Sequence, residues 1–201
     1  MIDLLRDCEM RILSEEHEIS DFDCGNADLN DFFNRDALAY KRQMLSRTCF
    51  FIHKSIGDVV CVFSFSASSI KTDDLPGSRR KKVKEQIPRE KSLKSYPAIL
   101  IGRLGVAAKF SGQGIGSQLI DAIKTFCLDQ FPDFVRFLLV DAYNESAVVS
   151  FYQKNYFTSV FSTEEQEKEA YRQIPSETLR TRYMFYDMIH WRNRMEEFNN
   201  Q

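Results

Sequence analysis

Arg103-Leu104-Gly105-Val106-Ala107-Ala108-Lys109-Phe110-Ser111-Gly112-Gln113-Gly114-Ile115-Gly116-Ser117-Gln118-Leu119 is the stretch that decides the fold class of this chain. It opens in an apolar strand, Pro97 to Val106, and closes in a helix predicted over Ser117 to Asp129. Leu119, Ile120, Ile123 and Phe126 or Cys127 recur at helical spacing and give that helix one apolar face. Gly112, Gly114 and Gly116 stand between strand and helix. Glycines let the backbone turn tightly and aim successive N–H groups at one point, and a helix start adds its unpaired N–H groups and positive dipole end. The unit is therefore an anion cradle suited to a phosphate or pyrophosphate. Two common phosphate loops fit badly. A Walker loop needs Lys and Ser/Thr after its last glycine, whereas Ser117-Gln118 follow here. A dinucleotide fingerprint needs GxGxxG and an acidic residue about twenty positions on. The spacing here is GxGxG, and Asp141 lies farther on than that. On these residues alone a plain structural turn stays open.

Outward from this unit, strands and helices alternate. Met10 to Ile12 reads as a short strand, and Phe22 to Asn26 as a turn with Asn26 or Asp28 capping a helix. Leu29, Phe32, Phe33, Ala37 and Tyr40 place that helix over Leu29 to Lys41. Thr48 to His53 and Val59 to Ser69 form a hairpin about Gly57-Asp58. A short helix is predicted within Arg80 to Gln86. Beyond the glycine unit come a strand at Phe134 to Asp141, a helix capped by Asn144 and running to about Asn155, and strands at Phe157 to Phe161 and Thr181 to Met188. The expectation is one α/β domain with a mixed central sheet flanked by helices. It covers 1–190, with a basic insertion at about 72–95 and a polar C-terminal tail at 191–201.

Composition bounds the rest. The 201 residues are 43% hydrophobic, 28% charged and 13% aromatic, which excludes a disordered or low-complexity chain. Seventeen Phe against one Trp point to a Phe-rich core. No apolar run is long enough for a transmembrane helix, and Met1 to Glu9 is no secretory signal, so the expected location is cytoplasmic with no membrane partner. Cys8, Cys24, Cys49, Cys61 and Cys127 show no CxxC pair and read as reduced, mostly buried thiols. His17, His53 and His190 are isolated, so no metal is expected. The net charge of -2 conceals a contrast. Arg79, Arg80, Lys81, Lys82, Lys84, Arg89, Lys91 and Lys94 face only Glu85 and Glu90 in the basic segment, leaving the remainder acidic.

The glycine unit resembles motif A of the GNAT acetyltransferase superfamily. Asn144-Glu145-Ser146-Ala147 and Phe151-Tyr152-Gln153-Lys154-Asn155-Tyr156-Phe157 resemble its motif B, in the right order and at the right distance. The resemblance spans about residues 10 to 188. Two positions depart from the pattern: Ser111 stands where Arg or Gln is usual, and Tyr156 where glycine usually precedes Phe157. What the resemblance implies is a splayed strand pair holding acetyl-CoA as co-substrate. The backbone of Leu104, Gly105 and Val106 would meet pantetheine and the thioester carbonyl. Ser111, Gly112, Gln113, Gly114, Ile115, Gly116 and Ser117 would hold the pyrophosphate, and the Asn144 side chain would contact the cofactor. Tyr152 would be the general acid for the leaving thiolate. Gly105 has a reading of its own, because glycine within a strand often marks a bulge or a close ligand approach.

The implied reaction is acetyl transfer to a primary amine by direct attack. No carboxylate lies in Ile99 to Val106, so no general base is visible. An α-amino group, with a pKa near 8, loses its proton more readily than lysine at about 10.4, which tilts the acceptor toward α-amines. Phe22-Asp23-Cys24-Gly25-Asn26-Ala27-Asp28-Leu29, Ser46-Arg47-Thr48 and Arg103-Leu104 are similar to the branch that holds toxins acetylating aminoacyl-tRNA. A small amine, a peptide and an aminoacyl-tRNA all stay open as acceptors. The basic segment Arg79 to Lys94 is the candidate tRNA contact. A toxin–antitoxin setting and a homodimer stay open too, as does a catalytically silent acyl-CoA-binding module. Ser162 to Glu177 reads as a lid or a dimer contact.

Overall fold

The computed structural model describes residues 2–17, 19, 21–73, 75–84, 87, 94–174 and 176–200. In chain order the elements are α1 (Leu4–Asp7), β1 (Cys8–Ile12), α2 (Ala27–Asp31), a π-helical turn (Phe32–Asp36), α3 (Ala37–Arg42), β2 (Arg47–His53), β3 (Val59–Lys71) and α4 (Gly77–Lys84). They continue with β4 (Ser95–Val106), a 3-10 turn (Ala108–Phe110), α5 (Ile115–Gln130), β5 (Phe137–Tyr143), α6 (Ser146–Lys154), β6 (Thr158–Ser159), α7 (Glu164–Ala170), β7 (Thr181–Asp187) and α8 (Met188–Asn199). The seven strands form one sheet in the order β1-β2-β3-β4-β5-β7-β6. Its edges are antiparallel, and the helical crossover from β4 through α5 to the neighbouring β5 makes the sheet mixed.

The chain divides into two compact units, Met1–Ser66 with Ile101–Phe126, and Ala67–Leu100 with Cys127–Gln201. In the first, Asn26 caps α2 by accepting the Leu29 N–H at 3.1 Å. The predicted single helix is realised as α2, the π turn and α3 in succession. Its apolar face, Phe32, Phe33 and Ala37, packs on Phe22, Phe50, Val62 and Ala107. Phe22–Phe33, Phe32–Phe33 and Phe32–Tyr40 meet edge to face at 5.1–5.6 Å between ring centres. Phe63 and Phe65 on β3 pack on Phe126 of α5. Rings in such contacts gain about 0.5–1.5 kcal/mol each beyond simple burial, which is what the high phenylalanine count supplies.

The second unit has its own core of Ile70, Leu75, Val83, Tyr96, Ala98, Phe137, Leu139, Val160, Phe161 and Phe185. β5 and β7 pair without interruption from Phe137↔Asp187 to Tyr143↔Thr181. β5 starts three residues later than predicted, because Pro132 to Phe134 belongs to the turn before it. β6 is only two residues long against the five expected. Residues 191–199 of the expected polar tail belong to α8, whose Met188 and Trp191 are buried. The polar stretch after Phe161 carries α7, anchored by Glu167, which is 1% exposed. Glu167 accepts the Tyr183 N–H at 2.6 Å and pairs with Arg182 at 2.8 Å.

Candidate active site

In the first unit, β4 runs into the glycine loop. The Ala107 N–H still donates to Val60, at 2.9 Å, and the Ala108 N–H to Asp23, at 2.8 Å. After the 3-10 turn, Ser111 is extended and exposed. Gly112 and Gly114 adopt φ +75° and +78°, the left-handed region that costs an L-residue about 1–2 kcal/mol. A Cβ at either would meet nothing within 4 Å, so these glycines serve backbone shape and leave open space above the loop. α5 begins at Ile115, two residues earlier than expected, and places Gly116 and Ser117 in its first turn. A helix of sixteen residues aims a full dipole and its first N–H groups at that space. Ile115, 1% exposed, anchors the turn from inside.

Gln118 carries a role with no local signal in the sequence. Its amide accepts the Leu4 N–H at 2.7 Å and donates to the Ile2 carbonyl at 3.1 Å, tying the first residues to α5.

Gly105 lies where two segments touch. A Cβ built on it would stand 3.2 Å from Phe22 Cε1 and 3.3 Å from Cys24 Cβ and Sγ. What closely approaches this glycine is the chain's own 22–24 loop. Asn34 brackets Phe22 with bonds of 3.0 and 2.9 Å to its N–H and carbonyl, and Asn30 accepts the Cys24 N–H at 2.9 Å. Two residues upstream, the Arg103 guanidinium lies 3.6 Å from the ring centre of Phe32, the first residue of the π turn, and 5.7 Å from that of Tyr40. Stacking of this kind fixes the plane of the cation while leaving its in-plane N–H donors to be used.

In the second unit, α6 carries Tyr152, which is 8% exposed. Burial pushes its phenol up to about 12, so the hydroxyl keeps its proton across the neutral range. Phe151 and Phe157 flank its ring at 5.1 and 5.4 Å. Asn144 does not cap this helix as predicted. The N-cap is Glu145, without a side-chain bond. Asn144 instead donates its amide to the Leu179 carbonyl and its N–H to Arg180, both at 3.0 Å. The segment before β7 thus competes for the Asn144 side chain and wins it.

A carboxylate outside the motifs shares this unit. Asp141 on β5 lies opposite Tyr183 on β7. Burial raises the Asp141 carboxyl above its ordinary value although the residue keeps exposed surface. Burial, and then the Asp141 charge, raises the Tyr183 phenol. Only the β5–β7 register reveals this pair, since the two residues lie far apart in sequence.

The described part of the basic segment is built into the unit. α4 buries Val83 against Leu75 and Phe161. Arg80 donates to the carbonyls of Thr72, Asp73 and Leu75 at 2.9, 3.1 and 3.3 Å, and so acts as a structural clamp. Arg79 donates to Ser162 at 3.1 Å, and Lys94 pairs with Asp73 at 3.3 Å. Lys81 is exposed. Arg89 and Lys91 lie outside the described residues. No helix among the described residues is long and apolar enough to cross a membrane.

Comparison with known proteins finds relatives of this chain. The profile of the Acetyltransferase (GNAT) family matches residues 77–157. A tRNA-acetylating toxin of Mycobacterium tuberculosis is 31% identical over 139 residues, which cover 68% of this chain and 76% of that protein. Two solved structures share the fold. AtaT complexed with acetyl-methionyl-tRNAfMet is 20% identical with a TM-score of 0.67, covering 94% of this chain and 99% of its own. AtaTR bound with AcCoA is 19% identical with a TM-score of 0.67, covering 92% and 95%.

Proposed function

Because this chain belongs to the GNAT acetyltransferase family and is an acyltransferase, we propose that it moves the acetyl group of acetyl-CoA to the α-amino group of an aminoacyl-tRNA. The observation that carries the acceptor is the 31% identity with a tRNA-acetylating toxin over most of both chains. The Leu104, Gly105 and Val106 backbone takes the pantetheine arm and polarises the thioester carbonyl. The backbone N–H groups of Gly112, Gln113, Gly114, Ile115 and Gly116 take the pyrophosphate, supported by the positive φ of Gly112 and Gly114 and by the α5 dipole, while Ser111 and Ser117, whose N–H groups already donate to Ala108 and Gly114, offer their hydroxyls. Asn144, already engaged by 179–180, serves the cofactor through the rest of its amide.

The chemistry follows from these assignments. The amine, in its neutral form, attacks the thioester carbon and forms the C–N bond. The C–S bond then breaks, and the departing thiolate takes the Tyr152 proton. The proton lost by the nitrogen returns to the phenolate through solvent, so the products are the N-acetyl amide and free CoA thiol. A phenol held up to about 12 keeps its proton until the thiolate forms. An α-amine near pKa 8 supplies enough neutral nucleophile without a strong base. The exposed face of α4, led by Lys81, meets the tRNA backbone.

The test is release of CoA thiol from acetyl-CoA with charged tRNA, uncharged tRNA, peptides and small amines. Turnover with charged tRNA alone, together with a mass gain of one acetyl group on its amino acid, supports the reading. Equal turnover with free small amines overturns the tRNA acceptor, and cofactor binding without turnover on any acceptor overturns the whole assignment.

A further inference from the structure

The turn that ends α6 converges on Tyr152. The Phe157 N–H donates to the Tyr152 carbonyl at 3.0 Å, and the Tyr156 N–H donates to Gln153 at 2.9 Å. This is the double bond pattern that closes a helix through a left-handed residue. Tyr156 is that residue, with φ +70°, and its side chain is 73% exposed. If the helix simply continued, five residues of rotation at about 100° each would carry Phe157 to a different face from Tyr152. The left-handed bend folds Phe157 back instead. Its ring, 3% exposed, meets that of Tyr152 at 5.4 Å and an interplanar angle of 70°. Asn155, also buried, reinforces the turn by donating its amide to the Phe151 carbonyl at 2.8 Å. Non-glycine residues pay a strain of about 1 kcal/mol or more in this region and persist there when their surroundings over-determine them.

We infer that the turn at Asn155–Phe157 is a positioning device for Tyr152, in which Phe157 is the positioning residue that sets the place of the phenol ring and Tyr156 supplies the bend that brings Phe157 to it. The inference rests on the reading of Tyr152 as the general acid. Phe157 reaches no reacting atom in this scheme. It acts by denying the Tyr152 ring the freedom to swing, and a misplacement on the order of 1 Å at a reacting group costs about 100-fold in rate.

The experiment is steady-state kinetics with acetyl-CoA and charged tRNA, the acceptor proposed above, on full chains shown folded by circular dichroism at the assay temperature. Phe157→Ala is expected to lower kcat about 100-fold with both KM values within about two-fold, and Phe157→Tyr to restore most of it. Tyr156→Gly is expected to keep kcat and raise Tm, since it relieves strain without losing the bend. Tyr156→Pro, which has no N–H for Gln153 and cannot adopt a positive φ, is expected to reproduce the Phe157→Ala loss. Phe157→Leu serves as a milder variant if alanine unfolds the chain, with an intermediate fall in kcat expected. Wild-type kcat in Phe157→Ala or Phe157→Leu, or a loss confined to KM, overturns the inference. Full activity in Tyr152→Phe overturns the general-acid reading itself, whereas a slow Tyr152→Phe beside a fast Phe157→Ala overturns only the positioning role.

Discussion

A side-chain carbon on Gly105 would lie 3.2 Å from the ring of Phe22, closer than most packed side-chain contacts allow. Phe22 cannot retreat easily, because Asn34 holds its N–H and its carbonyl and the core around Phe33 surrounds its ring. Gly105→Ala is therefore expected to destabilise the chain by about 1–3 kcal/mol through overpacking. Equilibrium urea unfolding measures this. A companion variant, Phe22→Leu with Gly105→Ala, is expected to recover part of the loss, since the two positions share one contact.

Tyr152→Phe is expected to reduce kcat by about 100-fold or more while acetyl-CoA affinity stays near wild type, because a proton donor contributes to the transition state and little to cofactor binding. Stopped assays of thiol release and calorimetric binding of acetyl-CoA check the two halves separately.

The same phenol makes an alkaline prediction. Its folded pKa is raised by burial from 10.0 to about 12, so the folded state favours the protonated form. That contribution to stability is fully present below pH 10 and is lost as pH climbs toward 12. Denaturation curves are therefore expected to show wild type losing stability faster than Tyr152→Phe across this window.

Glu167 and Arg182 form a pair in which Glu167 is 1% exposed and Arg182 13%. Glu167→Ala is expected to cost about 3–5 kcal/mol, since it strands the Arg182 charge and the Tyr183 N–H. Burial outweighs these bonds and raises the Glu167 carboxyl above 4.5. Its contribution is thus greatest below pH 4.5 and fades as pH rises through the raised value. The stability gap between wild type and Glu167→Gln is expected to narrow from acid to neutral pH in thermal melts.

The two classes of cation in the basic segment are expected to separate. Lys81→Glu should weaken charged-tRNA binding and flatten its salt dependence while leaving Tm near wild type, as a phosphate contact does. Arg80→Ala should lower Tm, because it frees the carbonyls of Thr72, Asp73 and Leu75. Filter binding over a salt series and calorimetry read the two effects.

Local patterns in the sequence determined the α/β class, the strand–glycine–helix unit, a helix cap at Asn26 or Asp28, and the family. These depend on residues within one turn or one strand of each other, where backbone freedom and apolar spacing act directly. Tertiary structure decided what depends on distant partners. It turned Asn144 from a predicted cap into a clamp on 179–180, gave Gln118 to the first residues, set Phe22 and Cys24 against Gly105, and lined Asp141 up with Tyr183. It also split the basic run into Arg80, which builds, and Lys81, which stays exposed. For Asn144, Gln118 and Arg80 the physical reason is shared. A polar side chain can satisfy several competing partners of similar energy, and only packing of remote segments selects one, whereas a glycine loop between a strand and a helix has few shapes to choose from.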